Sequence, residues 1–193
     1  CWLVPNVILY DRPTNGWFNN EFHKAGLVML GNLDNDVEGM DLKKKGVKTS
    51  AWTFWPRRPY VVETMLEKEC ILEWDKRDIE SIFVGNFENK TQEKYRKTDD
   101  DWESVLDVYH CTEGKKHKFT QEEYLGMLRR SKYGLCIRGY GKKCHREVEC
   151  MAWGTVPIIT NDVCISSYIN PPKEGVHYMR AHDREDMRRK LAG

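Results

Sequence analysis

The chain has 193 residues, and 31 lysines and arginines nearly balance 30 aspartates and glutamates, which leaves a formal charge of +1. This balance excludes a dedicated nucleic-acid binder, whose basic footprint would dominate its charge. The length suffices for one good hydrophobic core or two small ones. No apolar run approaches the ~20 residues that a membrane span requires.

The first 75 residues contain short extended segments separated by polar stretches. The apolar runs Val7–Tyr10 and Leu27–Leu30 predict strands. The segment 52–60 places aromatic side chains beside two arginines, and such aromatics either belong to a core or offer flat faces to a sugar. We interpret residues 1–78 as an N-terminal lobe.

From residue 79 onward, apolar strands alternate with helices. The sequence predicts a strand that ends in a turn at 81–85, a helix with an acidic first turn at 98–107, a last strand at 176–179 and a final helix at 184–191. The segment 105–111 fits a helix end or a strand equally well. This alternation favours an α/β fold, with a Rossmann-like parallel sheet in a C-terminal domain of residues 79–193.

The segment 120–137 predicts a helix followed by a buried strand. Thr120 and Glu123 have the spacing of a capping box, which starts a helix at about Gln121. In the run Lys132–Ile137, apolar residues occupy both the odd and the even positions. This pattern is typical of a strand buried on both faces of a parallel sheet.

A second helix and a second strand complete a βαβ unit. The helix carries Val148, Met151 and Ala152 on one face and ends at Gly154, a natural C-cap, after which a strand resumes at 156–159. Parallel strands joined by a helix cross over right-handed. The loop after the first strand therefore lies at the carboxyl edge of the sheet, where open α/β sheets bind ligands.

That loop, residues 138–143, which we call the basic loop, has the composition of a phosphate site. Gly139 lets the backbone approach an anion, and the helix that follows offers free N–H groups. We expect Arg138, Lys142 and Arg146 to neutralise a diphosphate. Lys143 and His145 add further potential positive charge to the same few positions.

Glu149 lies one helical turn after Arg146 and predicts an acceptor for the two hydroxyls of a ribose. The alternative is a solvated basic loop, in which Glu149 is a surface carboxylate paired with Arg146. The glycine pattern matches neither the dinucleotide fingerprint nor the P-loop, so ATPases and kinases of the P-loop type are disfavoured.

Two clusters contain residue types that can bind a metal ion, but the sequence around each of them argues against a metal site. The triplet Asp99–Asp101 could hold a divalent cation, but it precedes a predicted helix and a solvated helix start accounts for it. The spacing of Cys144, His145 and Cys150 fits no common zinc module. We therefore predict no metal and no cofactor. The seven cysteines include no CxxC motif and favour a reducing, cytoplasmic compartment.

An ordered set of residues surrounds the basic loop: Tyr124, Leu128, Ser131-Lys132-Tyr133, Leu135-Cys136, Arg138-Gly139-Tyr140, Arg146, Glu149, Gly154 and Val156-Pro157-Ile158-Ile159, with Phe83-Val84-Gly85-Asn86 and Tyr95-Arg96 upstream. This set resembles the exostosin family of glycosyltransferases. Together they cover a little over half of the chain. Ile137 stands where family members carry proline, and the segment 142–145 replaces a serine-rich stretch. These two departures affect the expected identity of the sugar donor more than the expected fold.

The resemblance implies a GT-B architecture, in which two Rossmann-like domains face each other across a cleft. The domain 79–193 would hold a nucleotide-sugar, and the lobe 1–78, reduced relative to complete transferases, would be the acceptor side. The implied reaction is an inverting, metal-independent transfer of a hexose or pentose from a UDP-sugar, or less commonly a GDP-sugar, to a glycan or glycoprotein. The resemblance also implies that Arg96 reaches the phosphates. The Golgi lumen is then the alternative compartment, if an anchor lies outside this chain.

An inverting transfer requires a base that accepts the proton of the acceptor hydroxyl. Asp11, Glu21 and His23 lie in a loop-like region of the N-terminal lobe, and we select Asp11 as the catalytic candidate. The alternative function is a non-catalytic subunit of a glycosylation complex that binds the nucleotide-sugar.

Overall fold

The computed structural model describes residues 7–10, 26–30, 36–37, 40–41, 46, 48–51, 56–98, 100–139, 142, 145–166, 168 and 170–193. In the N-terminal third, β1 (Val7–Tyr10), β2 (Leu27–Leu30) and β5 (Thr49–Ala51) form a parallel sheet in the order β1-β2-β5. The short strands β3 (Asp36–Val37) and β4 (Met40–Asp41) pair antiparallel. The strands predicted at Val7 and Leu27 are confirmed.

A five-stranded, all-parallel sheet dominates the rest of the molecule. It contains β6 (Ile79–Phe87), β7 (Val108–Glu113), β8 (Ser131–Cys136), β9 (Val156–Thr160) and β10 (Met179–Ala181). The spatial order is β10-β9-β8-β6-β7, which is 2-1-3-4-5 when these strands are numbered along the chain.

Helices are interleaved with these strands. They are α1 (Pro59–Lys68), α2 (Lys90–Glu93) with a π-helical turn Lys94–Thr98 after it, α3 (Gln121–Arg130), α4 (Arg146–Ala152) and α5 (Arg184–Ala192). The predicted α/β fold with a Rossmann-like parallel sheet is therefore confirmed for the C-terminal part of the chain.

Successive residues of the central strands enter different hydrophobic clusters. Ile82 and Val84 belong to one cluster with Leu125 of α3, whereas Phe83 belongs to the other with Met187 of α5. Because side chains alternate across a strand, these clusters lie on opposite faces of the sheet. Burying one such side chain contributes about 2 kcal/mol, which explains the continuous apolar runs predicted as strands.

Helix α1 belongs to the core of the C-terminal sheet, although it precedes residue 79. Its Val61 and Val62 are buried in the same cluster as Ile82 and Leu125. The domain boundary at residue 78 stays a prediction, and the packing of α1 shows that part of the preceding chain contributes to this core.

Helix α3 begins as its sequence predicts. The Thr120 side chain accepts a hydrogen bond from the Glu123 backbone N–H, and the Glu123 carboxylate accepts from the Thr120 backbone N–H. These bonds from Thr120 hold the pKa of Glu123 below its ordinary value. The predicted capping box and helix start are therefore confirmed.

Two expectations about local structure are wrong, and the last strand predicted at 176–179 is displaced, because residues 175–177 form a turn and β10 begins at Met179. Instead of a helix over 98–107, the described residues of this segment contain a 3-10 turn, Trp102–Ser104, between the π-helical turn that ends at Thr98 and the start of β7 at Val108. The turn directs Trp102, which is 2% exposed, into the second cluster, and this burial outweighs helix propensity. On α4, Met151 is exposed, whereas Glu147, Glu149 and Cys150 are buried, so the predicted apolar face is not the buried one.

Among the described residues, no helix combines the length and the apolarity that crossing a bilayer demands.

Candidate functional site

The strand order reverses at β6, and a cleft lies there. The chain continues from β6 outward to β7 and then returns to β8 on the other side of β6. Ligands of open α/β sheets bind at the carboxyl ends of the strands at such a switch point. The cleft has a volume of about 560 Å³, within the range of small-molecule sites. We call it the switch-point cleft.

Several elements contribute to this cleft. The end of β6 supplies Gly85 and Asn86, the basic loop supplies Gly139, and the first turns of α3 and α4 form the walls. The segment before α1 reaches the cleft through Arg57 and Arg58.

Arg146 brings a positive charge to the end of β6. Its Nη2 donates a hydrogen bond of 2.7 Å to the carbonyl oxygen of Val84, and its guanidinium lies 4.5 Å from the centre of the Phe83 ring. A Cβ at Gly85 would lie only 3.1 Å from Nη2, so the absence of a side chain there permits this approach. The guanidinium is therefore held at the cleft by contacts with the sheet itself.

Arg96 connects the end of β6 to the basic loop. It is 6% exposed; its Nε and Nη2 donate to the carbonyl oxygen of Arg138 at 3.2 and 3.0 Å, and its Nη1 donates to that of Asn86. Arg96 also lines the cleft. Two arginines thus converge at one end of the switch-point cleft, which favours an anionic ligand there.

Glu149 is a buried carboxylate beside these arginines. It is 4% exposed, and its Oε1 accepts hydrogen bonds from the Arg57 backbone N–H at 2.9 Å and from Gln121 Nε2 at 3.4 Å. Neither bond uses Oε2, which, as far as the described residues show, is left to accept bonds from a ligand. The alternative interpretation of Glu149 as a solvated surface carboxylate is wrong.

Tyr124 lines the same cleft and carries a buried hydroxyl without a hydrogen-bond partner in the described part of the chain. Burial, and then the nearby Glu149 charge, raise the pKa of Tyr124 well above its ordinary value, so the phenol stays neutral. The sequence analysis did not select Tyr124 as a ligand group, because helical periodicity does not distinguish a core position from the wall of a cleft.

His117 and Arg57 form a further polar pair at the cleft. Arg57 Nη1 lies 2.8 Å from His117 Nε2. Burial, and then the Arg57 charge, lower the pKa of His117. Sequence reasoning did not select either residue as a ligand group. The signal available for His117 was its position between a strand of the parallel sheet and the next helix.

The structure divides the predicted binding residues between two clefts. The switch-point cleft is lined by Arg96, Gly139, Arg146 and Glu149. The structure therefore brings these four residues together, and their individual roles stay predictions. Arg138 and Lys142 line a neighbouring cleft of about 620 Å³, which we call the second cleft. The predicted catalytic residue Asp11 lies outside the described residues.

In the second cleft, Arg138 is oriented by its neighbours. Its guanidinium lies 5.2 Å from the centre of the Tyr95 ring, and its backbone N–H donates to Asp162 Oδ2 at 3.3 Å. Arg180 adds another positive charge to this cleft. Because Arg138 and Gly139 are consecutive, the two clefts are separated by a single stretch of backbone.

Within the part of the chain that the structure describes, no group of three or more His, Cys, Asp or Glu side chains is arranged to hold a metal ion. The described cysteines, at positions 70, 111, 136, 150 and 164, are free thiols.

No family model, curated protein or solved structure matches this chain. A functional assignment must therefore be based on the geometry of the two clefts.

Proposed function

We propose that this protein is an exostosin-like glycosyltransferase of the GT-B type. It would transfer a sugar from a nucleoside diphosphate sugar to a glycan hydroxyl, with inversion and without a metal ion. The observation that carries the proposal is the placement of a buried Glu149 carboxylate next to Arg146, at the switch point of a parallel sheet.

The two arginines account for the phosphate end of the donor. When the bond to the sugar breaks, the departing diphosphate gains negative charge. Arg146 is held by Val84, and Arg96 by Asn86 and Arg138, so neither needs to reorganise as this charge develops. Preorganised charge of this kind stabilises the transition state more than the ground state.

Glu149 accounts for the ribose. A carboxylate accepts hydrogen bonds and cannot donate them when ionised, so it suits the two hydroxyls of a ribose rather than a phosphate. Its Oε1 already accepts two bonds within the protein, which fixes the orientation of the carboxylate and leaves Oε2 for the ligand.

The second cleft completes the proposal. Arg138 and Lys142 would act there on the phosphate next to the sugar, close to the segment 138–139 that separates the clefts. Asp11, in the proposed acceptor lobe 1–78, would accept the proton of the acceptor hydroxyl. The UDP-sugars are the first donors to test, followed by the GDP-sugars.

A donor hydrolysis assay tests the catalytic part of this proposal. Most glycosyltransferases slowly release sugar to water, so incubation with a panel of UDP- and GDP-sugars is expected to give free sugar and free nucleotide. Binding of a nucleotide without turnover would instead support the non-catalytic subunit. A requirement for manganese would contradict the metal-free mechanism.

Replacing Glu149 tests the ribose assignment. We expect Glu149→Ala to weaken the binding of free UDP by about 1–3 kcal/mol, measured by isothermal titration calorimetry, because hydrogen bonds to a buried carboxylate are lost. The matched control is Met151→Ala on the same helix, since Met151 is 42% exposed and lines neither cleft. An unchanged affinity in Glu149→Ala would remove this role.

A further inference from the structure

One aromatic ring contacts both arginines of the switch-point cleft. The Arg146 guanidinium lies 4.5 Å from the centre of the Phe83 ring, and the Arg96 guanidinium lies 6.0 Å from the same centre. A guanidinium within about 6 Å of a ring centre is attracted by the negative charge of the aromatic face. Phe83 is fully buried, so this attraction acts from a fixed position in the sheet.

Tyr109 fixes the Phe83 ring. The two residues are partners in the parallel pairing of β6 with β7. Their rings stack, with centres 5.5 Å apart and planes inclined by 21°. Stacked aromatic pairs gain free energy beyond that of burying their area, so the pairing restricts movement of the Phe83 ring.

Tyr109 also holds the backbone of Arg96. Its hydroxyl donates a hydrogen bond to the Arg96 carbonyl oxygen. Burial is the main cause that raises the pKa of Tyr109, so the hydroxyl keeps its proton and stays a donor. Arg96 lies within the π-helical turn Lys94–Thr98, a rare conformation that is frequent at functional sites. Tyr109 thus holds this turn while the Arg96 guanidinium bonds to the carbonyl oxygens of Asn86 and Arg138.

Two positive charges in one cleft repel each other, which disfavours their convergence before an anion binds. The Phe83 ring attracts both guanidiniums, and Tyr109 holds both this ring and the Arg96 backbone. We propose that Phe83 and Tyr109 are positioning residues that keep Arg96 and Arg146 as one preformed pair. In the proposed function, on which this inference rests, the pair binds the diphosphate of the donor. Neither Phe83 nor Tyr109 lines a cleft, so both act through the arginines.

The test compares UDP with UMP, which differ by one phosphate, by isothermal titration calorimetry on the full chain. The ratio of the two affinities reports how strongly the second phosphate is bound, and a purely structural defect would weaken both ligands equally. Tyr109→Phe keeps the stacked ring and removes the bond to Arg96, so it should lower the ratio about threefold. Phe83→Leu removes the contact with both guanidiniums and should lower the ratio about tenfold.

Two matched controls change the same sheet without touching these contacts. Tyr133→Phe removes a tyrosine hydroxyl, and Ile158→Val shortens a side chain that is buried in the second cluster. Neither residue lines a cleft. Both variants should keep the UDP-to-UMP affinity ratio of the unmodified protein. If Phe83→Leu does not fold, the comparison of Tyr109→Phe with Tyr133→Phe decides the outcome.

An unchanged ratio in Tyr109→Phe, or an equal fall in the control variants, would overturn the inference and leave the proposed function standing. Inorganic pyrophosphate separates the two further. If the unmodified protein binds neither UDP nor pyrophosphate, the inference and the proposed function fail together. If it binds pyrophosphate but no nucleotide, and Tyr109→Phe weakens that binding about threefold, the positioning role stands and the proposed function fails.

Discussion

At the scale of single residues, Arg58 stands out because, among the described non-glycine residues, it alone has a positive φ. Its φ of 51° and ψ of 71° place it in the left-handed region, directly before Pro59 and at the start of α1. An L-residue there is disfavoured by about 1–2 kcal/mol, and the residue before a proline prefers an extended conformation. Arg57 and Arg58 both line the switch-point cleft, so the strain lies at the wall of that cleft.

A comparison of Arg58→Gly with Arg58→Ala isolates this strain. Both variants remove the guanidinium, but only glycine removes the Cβ that disfavours a positive φ. We expect Arg58→Gly to exceed Arg58→Ala in free energy of unfolding by about 1 kcal/mol, measured by urea denaturation. Equal stabilities would show that the position is not strained.

Single-residue chemistry also explains which parts of the site could be predicted. A carboxylate one turn after a basic loop indicated Glu149, and the structure buries it in the cleft. The same loop chemistry grouped Arg138 with Arg146, yet the two side chains line different clefts. Residue type predicts what a side chain can bind, whereas the direction in which it leaves the backbone depends on its surroundings.

At the scale of elements, the packing of α4 against β8 depends on a missing side chain. A Cβ at Gly134 of β8 would lie only 2.5 Å from the Cys150 Sγ of α4. A strand glycine is usually unfavourable, but here it lets a helix approach the sheet closely. Gly126 in α3 differs, because a Cβ there would meet nothing within 4 Å.

These two glycines give a matched pair of predictions in urea denaturation. Gly134→Ala should lower the free energy of unfolding by about 1–3 kcal/mol, because the helix must shift to relieve the overlap. Gly126→Ala should raise it by about 0.5–1 kcal/mol, because alanine is more favourable than glycine inside a helix and its Cβ meets no neighbouring atom here. Adding Cys150→Ala to Gly134→Ala should recover part of the loss, and a purely additive double variant would contradict the proposed overlap.

Elements differed in how well local sequence predicted them. Helix α3 has its own start signal in Thr120 and Glu123, so its beginning near Gln121 could be predicted. The turn at Trp102 has no such signal, because its conformation is set by burial of the indole against the sheet. Local propensity is a weak preference, and tertiary packing overrides it.

At the scale of the whole molecule, α1 and Arg77 tie the chain before residue 79 to the C-terminal sheet. The Arg77 guanidinium donates to the carbonyl oxygens of Ser131 at 2.6 Å and Trp153 at 2.9 Å, which are at the start of β8 and just after α4. Burial is the main cause that lowers the pKa of Arg77, and the positive charge of Arg129 lowers it further. These buried carbonyl groups would lose their donor without Arg77.

Two truncated chains test where the C-terminal domain begins. A chain of residues 56–193 keeps Val61, Val62 and Arg77, and it is expected to unfold cooperatively in urea. A chain of residues 79–193 exposes the cluster that α1 covers and orphans the carbonyl groups bound by Arg77, so it should lack a cooperative transition. Near-ultraviolet circular dichroism and urea titration compare them. Equal stability of the two chains would support a boundary at residue 78.

The sequence by itself determined the alternation of strands and helices, the start of α3 and the concentration of positive charge after β8, because each depends on residues close together in the chain. Only the tertiary structure decided that Arg57 meets Glu149 across 92 residues, and that one backbone segment divides the basic residues between two clefts. Those contacts arise from the order in which strands join the sheet, and no local pattern of side chains encodes that order.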